Sequence, residues 1–352
     1  MGPEERLRSR LRAEGAITFA AFMEEALYGE GGYYTTARSP IGPEGDFVTG
    51  ASCSPLFGRA TARLLRRLDG ALGRPADVLE VGCGAGAHLA AIVTALDDAG
   101  GRRLLGWDRV ERLLPPGVER AGRLADLGTP IHGLVFSYEL FDALPVHRVV
   151  GRASGSLGEL WVKLDDRGAF GWREGELSEP RLAEMLASLG ARLEHGQVAD
   201  LSPAWAPLYR DLAGVLGSGL LVTCDYGFET GQLLDPRVRF HGTLACYRRQ
   251  RVHRDPWRDV GRQDLTAHVD FSLLRRIGEQ EGLATLAFTR QAPWLAACGL
   301  FEDLADGGPE ARREAMRLLD GEGMGEQIRV LVQARGEAIA AWGELLAEPL
   351  RG

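Results

Sequence analysis

A glycine turn within "VLEVGCGAG" carries the strongest sign of chemistry in the sequence. Apolar residues predict a buried strand that runs directly into Gly82, Gly84 and Gly86 and then into a helix. Glycines let the backbone approach a ligand closely, and the first amides of the helix point at that ligand. Because Glu80 stands two residues before the first glycine, the turn favours S-adenosylmethionine as the ligand.

The same turn permits other interpretations. Gly82, Gly84 and Ala87 also satisfy a dinucleotide fingerprint, and a tight turn can occur with no ligand at all. Asp108 ends the next predicted strand, "LLGWD", at about the distance of ~20 residues at which an acid accepts ribose hydroxyls. The turn and Asp108 together predict a nucleoside-containing cofactor, and a nicotinamide dehydrogenase remains the alternative.

Two carboxylates in "SYELFDALPVHR" form a second constellation. Glu139 and Asp142 follow an apolar strand, and ligands of open parallel sheets sit at the carboxyl ends of the strands. We therefore expect both acids in the crevice of the glycine turn, where they would orient a cationic or amide-like nucleophile. The alternative is that Asp142 caps a helix or turn and Glu139 is only solvated.

Three further residues are candidates for the same rim. Asp225 and Tyr226 end another inner strand, so we expect them on the substrate side. His268 lies between Asp264 and Asp270, and a carboxylate there would fix the tautomer of its imidazole. A lone histidine is more often structural, and that interpretation stays open.

Continuous apolar strands separated by helical stretches indicate an α/β fold with a mostly parallel sheet covered on both faces. The predicted order is an N-terminal helical region with an active-site loop (1–75), a methyl-donor-binding half (76–150), a β-hairpin and helical insertion (151–215), and the remaining strands with substrate-side elements (216–352). Thr18 is a plausible helix cap. The glycine-rich, aromatic loop from 29 to 50 is expected to close as a lid, with Tyr33, Tyr34 and Asp46 on the substrate side.

Composition restricts the class of protein. The 352 residues carry a formal net charge of -8, which opposes nucleic acid and favours a cationic partner. Five cysteines stand far apart with no C-x-x-C pair, so we expect buried thiols and no metal site. No apolar stretch reaches the roughly 18 residues of a membrane helix. With no recognisable signal peptide, we expect a soluble cytoplasmic protein and leave its oligomeric state open.

The chain resembles the MidA family, the bacterial and mitochondrial methyltransferases whose eukaryotic members assist respiratory complex I assembly. The similarity runs from about residue 17 to residue 336. It rests on the order of many short motifs, which are "ITFAAFMEEALYGEGGYY", "GDFVT", "SPLFG", "LEVGCGAG", "ELFDALPVHR", "DYGF", "HGTLACYRR", "GRQDLTAHVDF" and "GMGEQIRVL".

This resemblance implies a Rossmann-like class I methyltransferase core of seven strands and transfer of methyl to a protein arginine. On that basis Glu139 positions the nucleophile with Asp142 beside it, and His268 accepts a proton. The predicted partner is a protein or peptide. The predicted cofactor-binding residues are Glu80, Gly82, Gly84, Gly86, Asp108, Tyr138 and Thr49.

Two departures from the family pattern bear on the methyl acceptor. Ala51 and Ser52 stand where the family commonly has proline and glutamate, and Tyr138 stands where many members have asparagine or histidine. The alternatives are therefore methylation of a small molecule or of another peptide side chain, or a weakly active assembly factor that retains the fold.

Overall fold

The computed structural model describes residues 1–36, 50, 54–96, 100–249, 251–302, 308–320 and 324–336. Its helices are α1 (Pro3–Glu14), α2 (Phe19–Tyr28), α3 (Pro55–Leu72), α4 (Ala87–Leu96), α5 (Arg181–Ser188), α6 (Trp205–Val215), α7 (Thr230–Leu233), α8 (Pro236–Arg239), α9 (Phe271–Gln280), α10 (Gln291–Ala297), α11 (Pro309–Leu319) and α12 (Met324–Gln327).

The strands are β1 (Ala16–Thr18), β2 (Asp77–Val81), β3 (Leu104–Trp107), β4 (Glu119–Arg120), β5 (Ile131–Tyr138), β6 (His147–Gly151), β7 (Leu157–Leu164), β8 (Phe170–Gly175), β9 (Val198–Leu201), β10 (Leu216–Phe228), β11 (Ala245–Arg248), β12 (Arg251–His253), β13 (Asp264–Thr266), β14 (Val269–Asp270), β15 (Ala284–Arg290) and β16 (Ile328–Arg335). A short 3-10 helix covers Leu124–Asp126.

The chain forms two compact units, and each is assembled from separate segments. Unit 1 consists of residues 1–48, 141–206 and 228–273, and unit 2 consists of residues 49–140, 207–227 and 274–352. The sequence predicts four consecutive regions, and their bounds stay a prediction. The two units are defined differently, by contacts between segments that are distant along the chain.

Unit 2 contains a sheet with the strand order β15-β16-β10-β5-β2-β3-β4. The strands from β10 to β4 pair in parallel, whereas β16 is antiparallel to both β10 and β15. The α/β class predicted from the sequence is confirmed, and the sheet is mixed. Strand β2 is buried along its whole length, as expected for a strand covered on both faces.

Helices α3 and α4 pack closely in unit 2. A Cβ on Gly58 would lie 2.4 Å from Cβ of Ala91, so a glycine is needed where these helices meet. Helix α3 begins after Ser54, whose hydroxyl accepts a hydrogen bond from the backbone of Leu56 over 3.2 Å. These two helices bring the side chains of α3 next to the start of α4.

Unit 1 contains a sheet of five strands, in which β1, β7, β6 and β9 follow one another and β8 pairs with β7. The antiparallel pairs β6–β7 and β7–β8 form hairpins, as the alternating residues predict, and the bounds of the predicted insertion stay a prediction. A second sheet has the order β12-β11-β13. The predicted cap is confirmed as well, since the Thr18 hydroxyl accepts a hydrogen bond from Ala21 N–H over 3.1 Å at the start of α2.

Cysteine burial agrees with the expectation from composition. Cys83, Cys224, Cys246 and Cys298 are buried and free of disulfides. In the part of the chain that the structure describes, no helix is both long and apolar enough to cross a membrane.

Candidate functional site

Three glycines of one turn in unit 2 adopt left-handed backbone. Between β2 and α4, φ is 78° at Gly82, 53° at Gly84 and 74° at Gly86, a region that side chains disfavour. A Cβ on Gly82 would lie 2.9 Å from Cδ1 of Leu140, and one on Gly86 would lie 2.7 Å from Cδ of Pro115. The turn therefore needs glycine both for its conformation and for its packing.

Asp108 follows β3 and bonds directly to this turn. Its Oδ2 accepts the N–H of Gly84 over 2.8 Å, and its Oδ1 accepts the N–H of Val110 over 2.8 Å. A carboxylate has about four acceptor positions, so these two bonds leave capacity for ligand hydroxyls. The half-buried carboxylate thus lies against the glycine turn, and its contact with ribose stays a prediction.

Burial and two carboxylates affect the thiol of this turn. Burial, followed by the charges of Glu80 and Asp108, raises the pKa of Cys83 to about 12, and Arg120 acts in the opposite direction. The thiol is therefore protonated near neutral pH and is no candidate nucleophile.

Glu80, the acid before the glycines, is buried against α4. Its Oε2 lies 3.3 Å from Nδ1 of His88, which is also buried. Nε2 of His88 lies 3.0 Å from Oγ1 of Thr61 on α3. Sequence reasoning missed His88 and Thr61, because no local pattern relates residues on three different elements.

Glu139 directly follows β5 and has a strained backbone. Its φ is 49° although it is not glycine, a conformation that costs about 1 kcal/mol and often marks functional positions. The N–H of Glu139 donates to the carbonyl oxygen of Cys224 over 2.9 Å. The next residue, Leu140, packs on Gly82, so the loop that carries Glu139 lies beside the glycine turn.

Asp225 holds this loop from β10. Its Oδ2 accepts the N–H of Leu140 over 3.1 Å, and its Oδ1 accepts the N–H of Tyr226 over 2.9 Å. The side chain of Asp225 is fully buried. The structure thus assigns to Asp225 a contact with the loop after β5. The substrate-side role predicted for Asp225 and half-buried Tyr226 stays a prediction.

Tyr138, the last residue of β5, points into the core of unit 2. Its hydroxyl donates to Oε1 of Gln291 over 2.6 Å, and its ring lies 5.5 Å from Phe57. A Cβ on Gly50 would lie 2.3 Å from that hydroxyl. The side chain of Tyr138 therefore packs against α10, a contact that the sequence did not predict.

Unit 1 brings predicted substrate-side tyrosines together with acids. The Tyr34 hydroxyl donates to Oδ1 of Asp264 over 2.9 Å, and its ring packs edge-on against Tyr33 at 5.1 Å and parallel to Tyr28 at 5.4 Å. Burial and then the charge of Asp264 raise the pKa of Tyr34, with smaller effects from neighbours that include Asp142. Asp142 and the tyrosines thus share one acidic, aromatic cluster.

The backbone at His268 lies close to the backbone of Asp142 in unit 1. The N–H of His268 donates to Oγ1 of Thr243 over 3.0 Å, and the preceding N–H, of Ala267, donates to the carbonyl oxygen of Asp142 over 3.0 Å. Asp270, expected to orient His268, accepts the Thr230 hydroxyl over 2.8 Å. The proton-acceptor role of His268 stays a prediction.

The structure therefore gathers the predicted residues into two groups. Unit 2 brings together the glycine turn, Glu80, Asp108 and Glu139. Unit 1 contains Asp142, Tyr33, Tyr34 and His268. Asp46, Thr49, Ala51 and Ser52 lie outside the described residues, and so does most of the loop expected to act as a lid.

Comparison with known proteins identifies related chains. The family model described as "Putative S-adenosyl-L-methionine-dependent methyltransferase" matches residues 120–289. A Burkholderia thailandensis protein of the COG1565 superfamily, solved with bound S-adenosylhomocysteine, is similar with 30% identity and a TM-score of 0.84. That similarity covers 95% of this chain and 92% of the other.

Curated relatives are more distant in sequence. The rat protein named "Protein arginine methyltransferase NDUFAF7, mitochondrial" is 27% identical over 91% of this chain and 81% of its own length. Its Xenopus laevis counterpart is 26% identical over 77% of this chain and 68% of its own length. Both similarities extend well beyond the glycine turn.

Proposed function

Because the chain belongs to the MidA family of S-adenosylmethionine-dependent methyltransferases, we propose that it methylates a guanidinium nitrogen of arginine in a protein or peptide. The chain is a methyltransferase, and S-adenosylmethionine is its cofactor. The acceptor is the part that we propose. Relatives named protein arginine methyltransferases support it.

The residues of unit 2 fit the cofactor. The left-handed glycines leave the backbone uncovered, the first amides of α4 follow them, and Asp108 holds a carboxylate against the turn. S-adenosylmethionine supplies an electrophilic methyl group on a positively charged sulfur. We propose that Asp108 accepts the ribose hydroxyls and that the turn takes the amino-acid end.

We also propose that the seven strands of unit 2 form the class I methyltransferase core. The support is the strand order, with β2 in the middle of the parallel part and β16 inserted antiparallel between β10 and β15. In that arrangement the glycine turn and Glu139 follow the carboxyl ends of the adjacent strands β2 and β5.

The placement of Glu139 carries the proposal for arginine. The loop of Glu139 packs on Gly82 through Leu140, so Glu139 is the neighbour in sequence of the residue that contacts the turn. A guanidinium is protonated near neutral pH and presents a planar fork of donors, for which a carboxylate is the matching acceptor. Glu139 would align one guanidinium nitrogen with the methyl carbon, and alignment supplies much of the rate.

The net charge of the chain also supports a cationic acceptor. It is -8 at pH 7, which attracts positively charged partners at long range.

Transfer of a labelled methyl group into a lysate of the source organism, followed by mass spectrometry of the modified residue, tests the acceptor. We expect label on arginine ω-nitrogens, and we expect Glu139→Gln to reduce labelling at least about 100-fold, as losses in positioning do. Calorimetry with S-adenosylhomocysteine should show unchanged affinity in that variant. Label on a small molecule, or on another side chain, would contradict the proposal.

A further inference from the structure

A chain of three buried polar side chains lies beneath the glycine turn of unit 2. Glu80 on β2, His88 in the first turn of α4 and Thr61 on α3 are 5%, 2% and 0% exposed. Nδ1 of His88 lies 3.3 Å from Oε2 of Glu80, and Nε2 lies 3.0 Å from Oγ1 of Thr61. The imidazole therefore connects a strand, a helix start and a neighbouring helix.

The hydroxyl of Thr61 lies within hydrogen-bond distance of two groups, the carbonyl oxygen of Phe57 at 3.1 Å and Nε2 of His88 at 3.0 Å. It has one hydrogen to donate. When that hydrogen goes to Phe57, the hydroxyl can only accept from Nε2 of His88, which then carries the proton of the neutral ring.

Oε2 of Glu80 and Nδ1 of His88 approach each other to 3.3 Å in the buried core. Neither of these two atoms forms a hydrogen bond in the part of the chain that the structure describes. The contact between them is therefore electrostatic, and the hydrogen-bond partner of the ring is Thr61, at Nε2.

The surroundings keep water away from this pair. The imidazole packs against Phe136 at 4.8 Å and against Phe57 at 5.2 Å between ring centroids. In such an apolar environment a polar group cannot exchange a lost partner for water, so each contact holds the ring in place more strongly than at a surface.

The pair also fixes both ends of the glycine turn. Glu80 is the second-last residue of β2, and His88 is the second residue of α4, so their contact closes the base of the segment that contains Gly82, Gly84 and Gly86. We propose that His88, with its tautomer set by Thr61, is a positioning residue that keeps this turn in the cofactor-binding conformation. This inference rests on the cofactor site described above but is independent of the acceptor.

The test uses substitutions of Thr61 in the full chain and measures binding of S-adenosylhomocysteine by calorimetry, well below the melting temperature. Thr61→Val removes the acceptor for Nε2 at nearly constant shape, and Thr61→Ser retains it. We expect the Kd to rise at least about tenfold in Thr61→Val, the size of effect for a buried donor left without its partner. Thr61→Ser should restore the Kd to within about twofold.

Thr94 offers a matched control on α4. Its hydroxyl donates to the carbonyl oxygen of Ala90 over 2.9 Å, the same bond to the fourth preceding residue that Thr61 makes, but at an exposed position. Thr94→Val should leave the Kd unchanged. Nitrogen NMR of the labelled imidazole supplies a second measurement, with Nε2 of His88 expected to be protonated in the wild type.

Three outcomes would overturn the proposal. One is that Thr61→Val lowers the melting temperature but leaves the Kd for S-adenosylhomocysteine within twofold. Another is that Nε2 of His88 is unprotonated. The third is that wild-type protein does not bind S-adenosylhomocysteine, which would refute the cofactor site as well. Failure of arginine methylation alone would refute only the proposed acceptor.

Discussion

The backbone N–H of Leu140 donates a hydrogen bond to Oδ2 of Asp225 over 3.1 Å, and this bond connects the ends of β5 and β10. Leu140 in turn contacts Gly82. A buried carboxylate on one strand thereby sets the distance between the loop of Glu139 and the cofactor turn. The relationship makes Asp225 a positioning residue whose loss should affect methyl transfer more than cofactor binding.

Asp225→Ala tests this separation. Hydrogen bonds to a charged group contribute about 1.5–3 kcal/mol, so we expect methyl transfer to fall roughly 10- to 100-fold as the loop relaxes. Affinity for S-adenosylhomocysteine should change less than about threefold. Asp225→Asn retains one acceptor oxygen and should give an intermediate rate. Equal losses of rate and cofactor affinity in Asp225→Ala would contradict the separation.

Asp108→Ala should weaken cofactor binding directly. The substitution removes the acceptor of Gly84 N–H and the proposed acceptor of the ribose hydroxyls. We expect the Kd for S-adenosylhomocysteine to rise about 10- to 100-fold, as hydrogen bonds to a carboxylate contribute about 1.5–3 kcal/mol. Calorimetry measures it, and Asp126→Ala, an exposed acid of the same unit, serves as the control. An unchanged Kd in Asp108→Ala would place the ribose elsewhere.

Gly82→Ala should disturb the turn through both strain and contact. Its φ of 78° disfavours a side chain, and the added Cβ would lie 2.9 Å from Leu140. Gly155→Ala is matched in φ, at 81°, but meets nothing within 4 Å. Left-handed strain costs each variant about 1–2 kcal/mol, so both should melt earlier. Only Gly82→Ala should also lose affinity for S-adenosylhomocysteine, and equal affinities would argue against the contact.

Asp77, at the start of β2, should make stability depend on pH. Burial raises the pKa of this carboxyl, but hydrogen bonds from Arg103 outweigh burial and lower it below the ordinary 3.8. A lowered folded pKa contributes stability that is present above 3.8 and lost as pH falls through the folded value. The wild type should therefore exceed Asp77→Asn in free energy of unfolding at pH 7.

Acid titration of that difference is the measurement. Urea unfolding of the wild type and Asp77→Asn should give free energies of unfolding that converge as pH falls below 4, about the ordinary pKa of aspartate. A gap that stays constant from pH 7 into the acid range would show that the effect of Asp77 does not depend on its charge.

Several features followed from local sequence. The cap at Thr18, the strand β2, the glycine turn and the hairpin insertion were all predicted, because each depends on neighbouring residues. Burial of the cysteines could also be predicted from residue type. Contacts such as those of Tyr138 with Gln291, or of Asp225 with Leu140, could not, since they join residues 153 and 85 positions apart.

By itself the sequence determined the family, the cofactor turn and the α/β class, because these depend on local residue patterns and on motifs in a given order. The tertiary structure decided which partner each acid contacts. Glu80 contacts the imidazole of His88, Asp225 accepts a hydrogen bond from Leu140 N–H, and Asp108 accepts one from Gly84 N–H. The physical reason is that a buried carboxylate must find donors, and only the packing of distant elements brings those donors within reach.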